Sequence, residues 1–166
     1  CLLPTLDKVL QWQDIVDQSL AEVENNEEAF GPQIITDLND DYIEREEKLL
    51  LNATDLSIEE IIKAVHELSG IVIPAHVDKT NYSLISNLGF IDPGLDITAI
   101  EISKNITKSD AENKFEQLKK YSLLTSSDAH YLTDIKKSME LYLKETTFLE
   151  LKRAIRGRKR RKINFF

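Results

Sequence analysis

A chain of 166 residues, 42% hydrophobic and 30% charged, has the size and apolar content of one globular domain, which excludes a disordered polymer. No apolar run approaches the roughly 18–20 residues of a membrane span and no stretch reads as a signal peptide, while the lone cysteine, Cys1, excludes an internal disulfide and fits a reducing cytoplasm. The formal net charge is −8, yet residues 152–162 hold eight of the 21 basic side chains and no acid, so an acidic body disfavours polyanions everywhere except at that end.

In chain order, the start Cys1-Leu2-Leu3-Pro4 is apolar and reads as the tail of a strand. Residues 6–24 repeat Leu6, Val9, Leu10, Ile15, Val16, Leu20 and Val23 at helical intervals. Phe30-Gly31-Pro32 marks a turn. The short β-compatible runs 33–36 and 48–52, around the acidic linker 37–47, are most simply a hairpin. Ser57 with Glu60 is a capping box ahead of the stripe Ile58, Ile61, Ile62, Val65 and Leu68, and Gly70 is placed to close that helix in a left-handed conformation. The apolar run 71–75 then fits a strand buried on both faces.

The pattern repeats. Residues 83–87 predict a short helix closed by Gly89, and 97–102 a second strand. Ser109 with Glu112 reads as another capping box, 121–125 as a third strand, 139–143 as a further strand, and Thr147 with Glu150 as the start of a last helix to about Arg156. Alternating β and α elements with short links predict a parallel α/β architecture in one domain. Trp12, Tyr82, Phe90, Phe115 and Phe148 read as core or wall residues.

In parallel α/β folds functional groups gather at the carboxyl ends of strands. The run 70–75 delivers His76 there, and the run 121–127 delivers Asp128 and His130. Side chains two apart on extended backbone share a side, so Asp128 and His130 can converge while Ala129 points away. Imidazole with carboxylate suits Zn, Mn or Fe better than Ca, and water on such ions is a nucleophile near neutral pH. His66, on the capped helix, reads as a solvated surface residue. No phosphate loop of the P-loop kind is visible, and Cys1, Ser126 and Ser127 lack the setting of a catalytic nucleophile.

The strings from Gly70 to His76 (GIVIPAH) and from Leu124 to His130 (LTSSDAH) resemble the later motifs of the PHP family, phosphoesterase domains related to histidinol phosphatases and to a domain of replicative DNA polymerases. The similarity runs over most of the chain, including 30–33 and 50–56. It implies that residues 1–166 are the carboxyl-terminal portion of a distorted seven-stranded β/α, TIM-like barrel lacking its first strands, with a basic tail at 157–166. It also implies a metal-dependent phosphoesterase, a hydrolase of phosphate esters with up to three divalent ions (Zn, Mn or Fe) in the complete domain. By this resemblance His76, Asp128 and His130 are metal ligands and Lys79, three residues after His76, contacts substrate phosphate. Glu101 matches a recurrent glutamate and is most simply a structural hydrogen-bond partner.

Two departures matter. Val77 follows His76 where the family more commonly has proline, and the family's early His-x-His motif is absent from this chain. The chain is therefore expected to carry only part of the metal site, to bind metal weakly and to turn over poorly alone. One rival is a catalytically silent scaffold. Another uses the basic end, where Arg153, Arg156, Arg158, Lys159, Arg160, Arg161 and Lys162 would contact nucleic-acid phosphates and Phe165 or Phe166 would stack on bases. The simpler account of that end is a helix terminus followed by a solvated tail. An incomplete barrel would also leave strand edges unpaired, a route to a homo-oligomer.

Overall fold

The computed structural model describes residues 1–158 and 160–165, so Lys159 and Phe166 lie outside the described residues. The first helix, α1 (Leu6–Ser19), starts where the Thr5 side chain accepts a hydrogen bond from the Lys8 N–H, and Asp7 in its first turn suits the positive helix end. It stops five residues before the expected Glu24. Leu20 turns extended and bridges Thr54, and Glu24 bridges Lys48, so ladder pairing wins over helical periodicity. A single turn, α2 (Glu27–Phe30), capped by Asn26, follows.

A hairpin does form, but with a different second strand. Strand β1 (Ile34–Thr36) pairs antiparallel with β2 (Tyr42–Arg45), not with 48–52. The Asp37 carboxylate accepts from the Asn39 and Asp41 N–H groups, which bends the chain early enough to bring Tyr42 opposite Thr36. Residues 46–50 are instead stitched by the Gln33 amide, which donates to the Glu46 and Lys48 carbonyls and accepts from the Leu50 N–H.

Helix α3 (Ile58–Glu67) has the expected capping box of Ser57 and Glu60 and buries Ile62 and Val65. Its left-handed closing residue is Ser69 (φ 62°), not Gly70. Gly70 is required for a different reason. A Cβ there would lie 2.6 Å from Val65 Cγ1 and 2.9 Å from the Leu2 carbonyl, because Leu2 and Ile71 exchange backbone hydrogen bonds across this point. Helix α4 (Leu84–Leu88) is capped by Ser83 and closed by Gly89 in the left-handed region, as its sequence predicts.

The centre is a parallel pair, β3 (Ala99–Glu101) and β4 (Ser122–Leu124), with Ile100 opposite Leu123. The segment 71–77 runs along the other side of β3: the Glu101 N–H donates to the Pro74 carbonyl, and the Glu101 carbonyl accepts from the Val77 N–H. Ile100, Ile102, Val65, Val77 and Leu118 are fully buried around these segments, which explains why their sequences are continuous apolar runs. Between β3 and β4 lies α5 (Lys108–Lys114). Its cap is Thr107 with Asp110, two residues before the expected Ser109 and Glu112; Thr107 Oγ1 accepts the Asp110 N–H and donates to its carboxylate.

Strand β5 (Met139–Tyr142), helix α6 (Phe148–Ile155) and strand β6 (Lys162–Phe165) complete the fold. β6 pairs antiparallel with β5, Met139 opposite Phe165. The expected solvated tail at 157–166 is thus corrected over 162–165, where Ile163 and Phe165 turn inward. Glu150, 3% exposed, anchors this region by accepting from Arg153, from Arg161 twice and from the Lys144 N–H. Among the described residues the strands form three two-stranded sheets and close no barrel. The α/β class holds. Trp12, Phe115 and Phe148 pack against the core, whereas Tyr82 and Phe90 are exposed.

Candidate functional site

The carboxyl ends of 71–77, β3 and β4 lie side by side, and the loops leaving them carry the polar chemistry. Both outer segments end abruptly. His76 has φ 33° and Asp128 φ 48°, a left-handed backbone that non-glycine residues adopt only when the surroundings hold them there. At the first turn the Lys79 N–H donates to the His76 carbonyl, and the buried Ser83 hydroxyl donates to the Lys79 carbonyl.

This turn aims Lys79 across to the other loop, where its Nζ lies 2.5 Å from Asp128 Oδ2. The Lys79 hydrogen bond is the main reason the Asp128 carboxyl is held below its ordinary value; the charges of Lys79, His130 and His76 act in the same direction. His130 is exposed, with Nδ1 3.1 Å from the Asp128 carbonyl oxygen. His76 is half-buried, and its Nδ1 is buried with no hydrogen-bond partner among the described residues. An orphaned buried ring nitrogen is uncommon and costly, so it is the atom of this cluster most suited to receive a ligand.

The donor types suit a divalent transition metal, but the donors are not assembled into a cage. Among the described residues no three His, Cys, Asp or Glu side chains gather closely enough to hold an ion. The Asp128 carboxylate is occupied by Lys79. The described residues therefore form no assembled metal site.

Glu101, at the end of β3, accepts from the Ser126 hydroxyl at 3.1 Å, a link between neighbouring strand ends that matches its structural reading. Asp78 is a residue the sequence reading passed over. Its carboxylate accepts the Ser103 N–H and hydroxyl, both at 2.6 Å, tying the 71–79 segment to the loop after β3. Its signal was an acid two residues beyond a strand-end histidine. Lys104, also passed over, donates to the Ser127 carbonyl at 2.9 Å and steadies the residue before Asp128. His66 is a surface residue, as expected, 3.3 Å from Asp96.

No protein-family model matches the chain. It is 34% identical over 108 residues to the uncharacterized protein YqxK of Bacillus subtilis (strain 168), a match covering 61% of this chain and 27% of that protein. The fold is similar to the lesion-specific endonuclease PfuEndoQ of Pyrococcus furiosus, with a TM-score of 0.69 and 21% identity over 96% of this chain and 36% of that one. It is similar also to Endonuclease Q in complex with a duplex substrate carrying an abasic lesion at the active site, with a TM-score of 0.68 and 20% identity over the same shares. The chain therefore spans about a quarter to a third of the proteins it matches, and shares with the endonucleases an α/β fold.

Proposed function

We propose that this chain is part of a PHP-type hydrolase that cleaves phosphate esters, and that its substrate is the phosphodiester of a nucleic acid. The observation that carries this reading is the cluster at the strand ends, where Lys79 pairs with Asp128 and holds its carboxyl below the ordinary range, and where a buried His76 nitrogen has no partner among the described residues. The fold similarity to endonucleases favours nucleic acid over a small phosphomonoester. On this reading the parallel pair β3–β4 and the segment 71–77 beside it are strands of a distorted β/α barrel.

His76, Asp128 and His130 would hold part of a divalent metal site, which needs further ligands to close. When bound, the metal would supply an activated water and charge stabilisation at the phosphate. The chain's own residues have separate tasks. Asp128 stays ionised at neutral pH. Lys79 presents an ammonium between the two strand-end loops, where it neutralises Asp128 and can pair with a phosphate oxygen. The Glu101–Ser126 and Asp78–Ser103 bonds hold those loops in register.

The basic-tail alternative is less favoured. Arg161 and Arg153 bind Glu150, and Lys162 sits in β6, so part of that basic run serves the fold.

The test is a Co²⁺ or Mn²⁺ titration followed by imidazole NMR, together with hydrolysis of bis(p-nitrophenyl) phosphate. The His76 ring signals should shift or broaden on titration, and Asp128→Asn should abolish the effect. Activity of the 166-residue chain should be low, and Asp128→Asn should reduce it by at least about 100-fold, since even the outer partners of metal ligands are worth about 10 to 100-fold. A His76 ring indifferent to metal would sink the reading.

A further inference from the structure

Next to the candidate site lies a cleft of about 550 Å³, lined on one side by the loop after β3 and the start of α5, on the other by the segment before β5, and at its end by Phe165 of β6. Four lysines line it, Lys104, Lys108, Lys136 and Lys137, against one acid, Asp134. In a chain of net charge −8 this is a local reversal of sign. Lys108 and Lys137 are partly offset by Glu112 at 3.8 Å and Glu140 at 2.5 Å. Lys104 donates to the Ser127 carbonyl, and no carboxylate among the described residues forms an ion pair with it. Lys136 is exposed. The remaining lining mixes the hydroxyls of Thr107, Thr125, Ser127 and Ser138 with Ile106 and Phe165, and the exposed wall is more apolar than polar; Ser127 is adjacent in sequence to Asp128.

We propose that this cleft seats the phosphodiester backbone of a single-stranded nucleic acid, leading it to Lys79 and Asp128, with the half-buried Phe165 ring as a face against which one base stacks. This deepens the hydrolase reading and rests on it for the direction of the strand. Cations set along a groove, with an aromatic ring at one end, are what a backbone-tracking site needs. A lipid headgroup surface would meet a flat or convex patch; these lysines instead line a recess. The volume is in the range of pockets that enclose a nucleotide-sized ligand. A second cationic recess, lined by Lys120, Arg156 and Arg158, opens at the amino ends of β3 and β4, away from the strand-end cluster, and so cannot feed it.

The experiment measures anisotropy of a labelled oligothymidylate of about 12 nucleotides, within the ~4–16-nucleotide span of single-strand sites, in EDTA across a salt series. Lys104→Ala/Lys136→Ala should weaken binding at least tenfold and lower the slope of log K against log salt by about 1.4, at about 0.7 per phosphate contact. Lys136→Glu alone, at an exposed position, should weaken binding further than Lys136→Ala. Phe165→Leu should weaken binding with the slope unchanged.

Affinity and slope unaltered in the lysine variants would overturn the proposal. So would loss confined to Arg156→Ala/Arg158→Ala, or equal binding to phosphatidylserine vesicles. Asp128→Asn separates the two claims. If it binds the oligonucleotide like wild type while no form of the chain hydrolyses phosphodiesters or responds to metal, the hydrolase reading falls and the cleft stands. If the wild type hydrolyses a small phosphodiester but leaves the oligonucleotide unbound, the cleft falls alone.

Discussion

Two carboxylates show how differently placed cations act on stability. Asp128 has its pKa lowered from 3.8, chiefly by the Lys79 hydrogen bond. A depressed folded pKa contributes stability that is present above the unfolded value and lost as pH falls through the folded one. Lys79→Met should return the Asp128 pKa toward its ordinary value, read by carbon-detected NMR titration; an unchanged titration would mean the ion pair is not what holds it. Glu150 is pulled down to about 2 by Arg161, the Lys144 N–H and Arg153. Its contribution is complete above about pH 4.5 and is lost between there and pH 2. Glu150→Gln should lower the thermal midpoint at pH 7 by roughly 5 °C or more, and the gap from wild type should shrink as the pH approaches 2, followed by circular dichroism. The placement of His76, Asp128 and His130 in the loops beyond 71–77 and β4 was readable in sequence, because they follow β-compatible runs. The Lys79–Asp128 pair was not, since it joins residues 49 apart through two left-handed turns that no local pattern announces.

Elements whose caps and periodicity agreed were legible. Helix α3 has both its box and its stripe, and α4 has Ser83 and Gly89 at the right distance. Sequence pattern and structure part where two local signals compete. Thr107-Lys108-Ser109-Asp110 offers two hydroxyls, and the earlier one caps because Asp110 answers it. Thr107→Ala should therefore cost about 1 kcal/mol, and Ser109→Ala little, in urea denaturation. Gly70 looked like a helix terminator but is a point of close approach. Gly70→Ala should destabilise by about 1–3 kcal/mol, as overpacking does, and an unchanged denaturation midpoint would mean Leu2 and Leu3 move aside freely. Strand β6 was hidden by its own charge. The run Lys162-Ile163-Asn164-Phe165 alternates polar and apolar, a period-2 signal that the neighbouring arginines obscured.

At the scale of the molecule, burial is uneven. The buried residues concentrate around 71–77, β3, β4 and α3, while Leu6, Leu51 and Leu132 are 73%, 71% and 88% exposed. The fold class was legible because apolar runs alternate with capped helices. Barrel closure was not, since strand-to-strand closure depends on partners and registers that a run of apolar residues leaves open. The β1–β2 hairpin lies at the other extreme from the central pair: every residue in both strands is exposed, and its tip, residues 37–41, is three aspartates and an asparagine with a fully exposed Leu38. With almost no apolar surface holding it down, it opens at little cost in free energy. A protease should therefore cut there first, between residues 37 and 41, and do so without waiting for global unfolding. The nicked chain should keep its fragments together and its slowly exchanging amides in β3 and β4, so the hairpin is a place where sequence can be inserted or a label attached while the strand-end cluster keeps its shape.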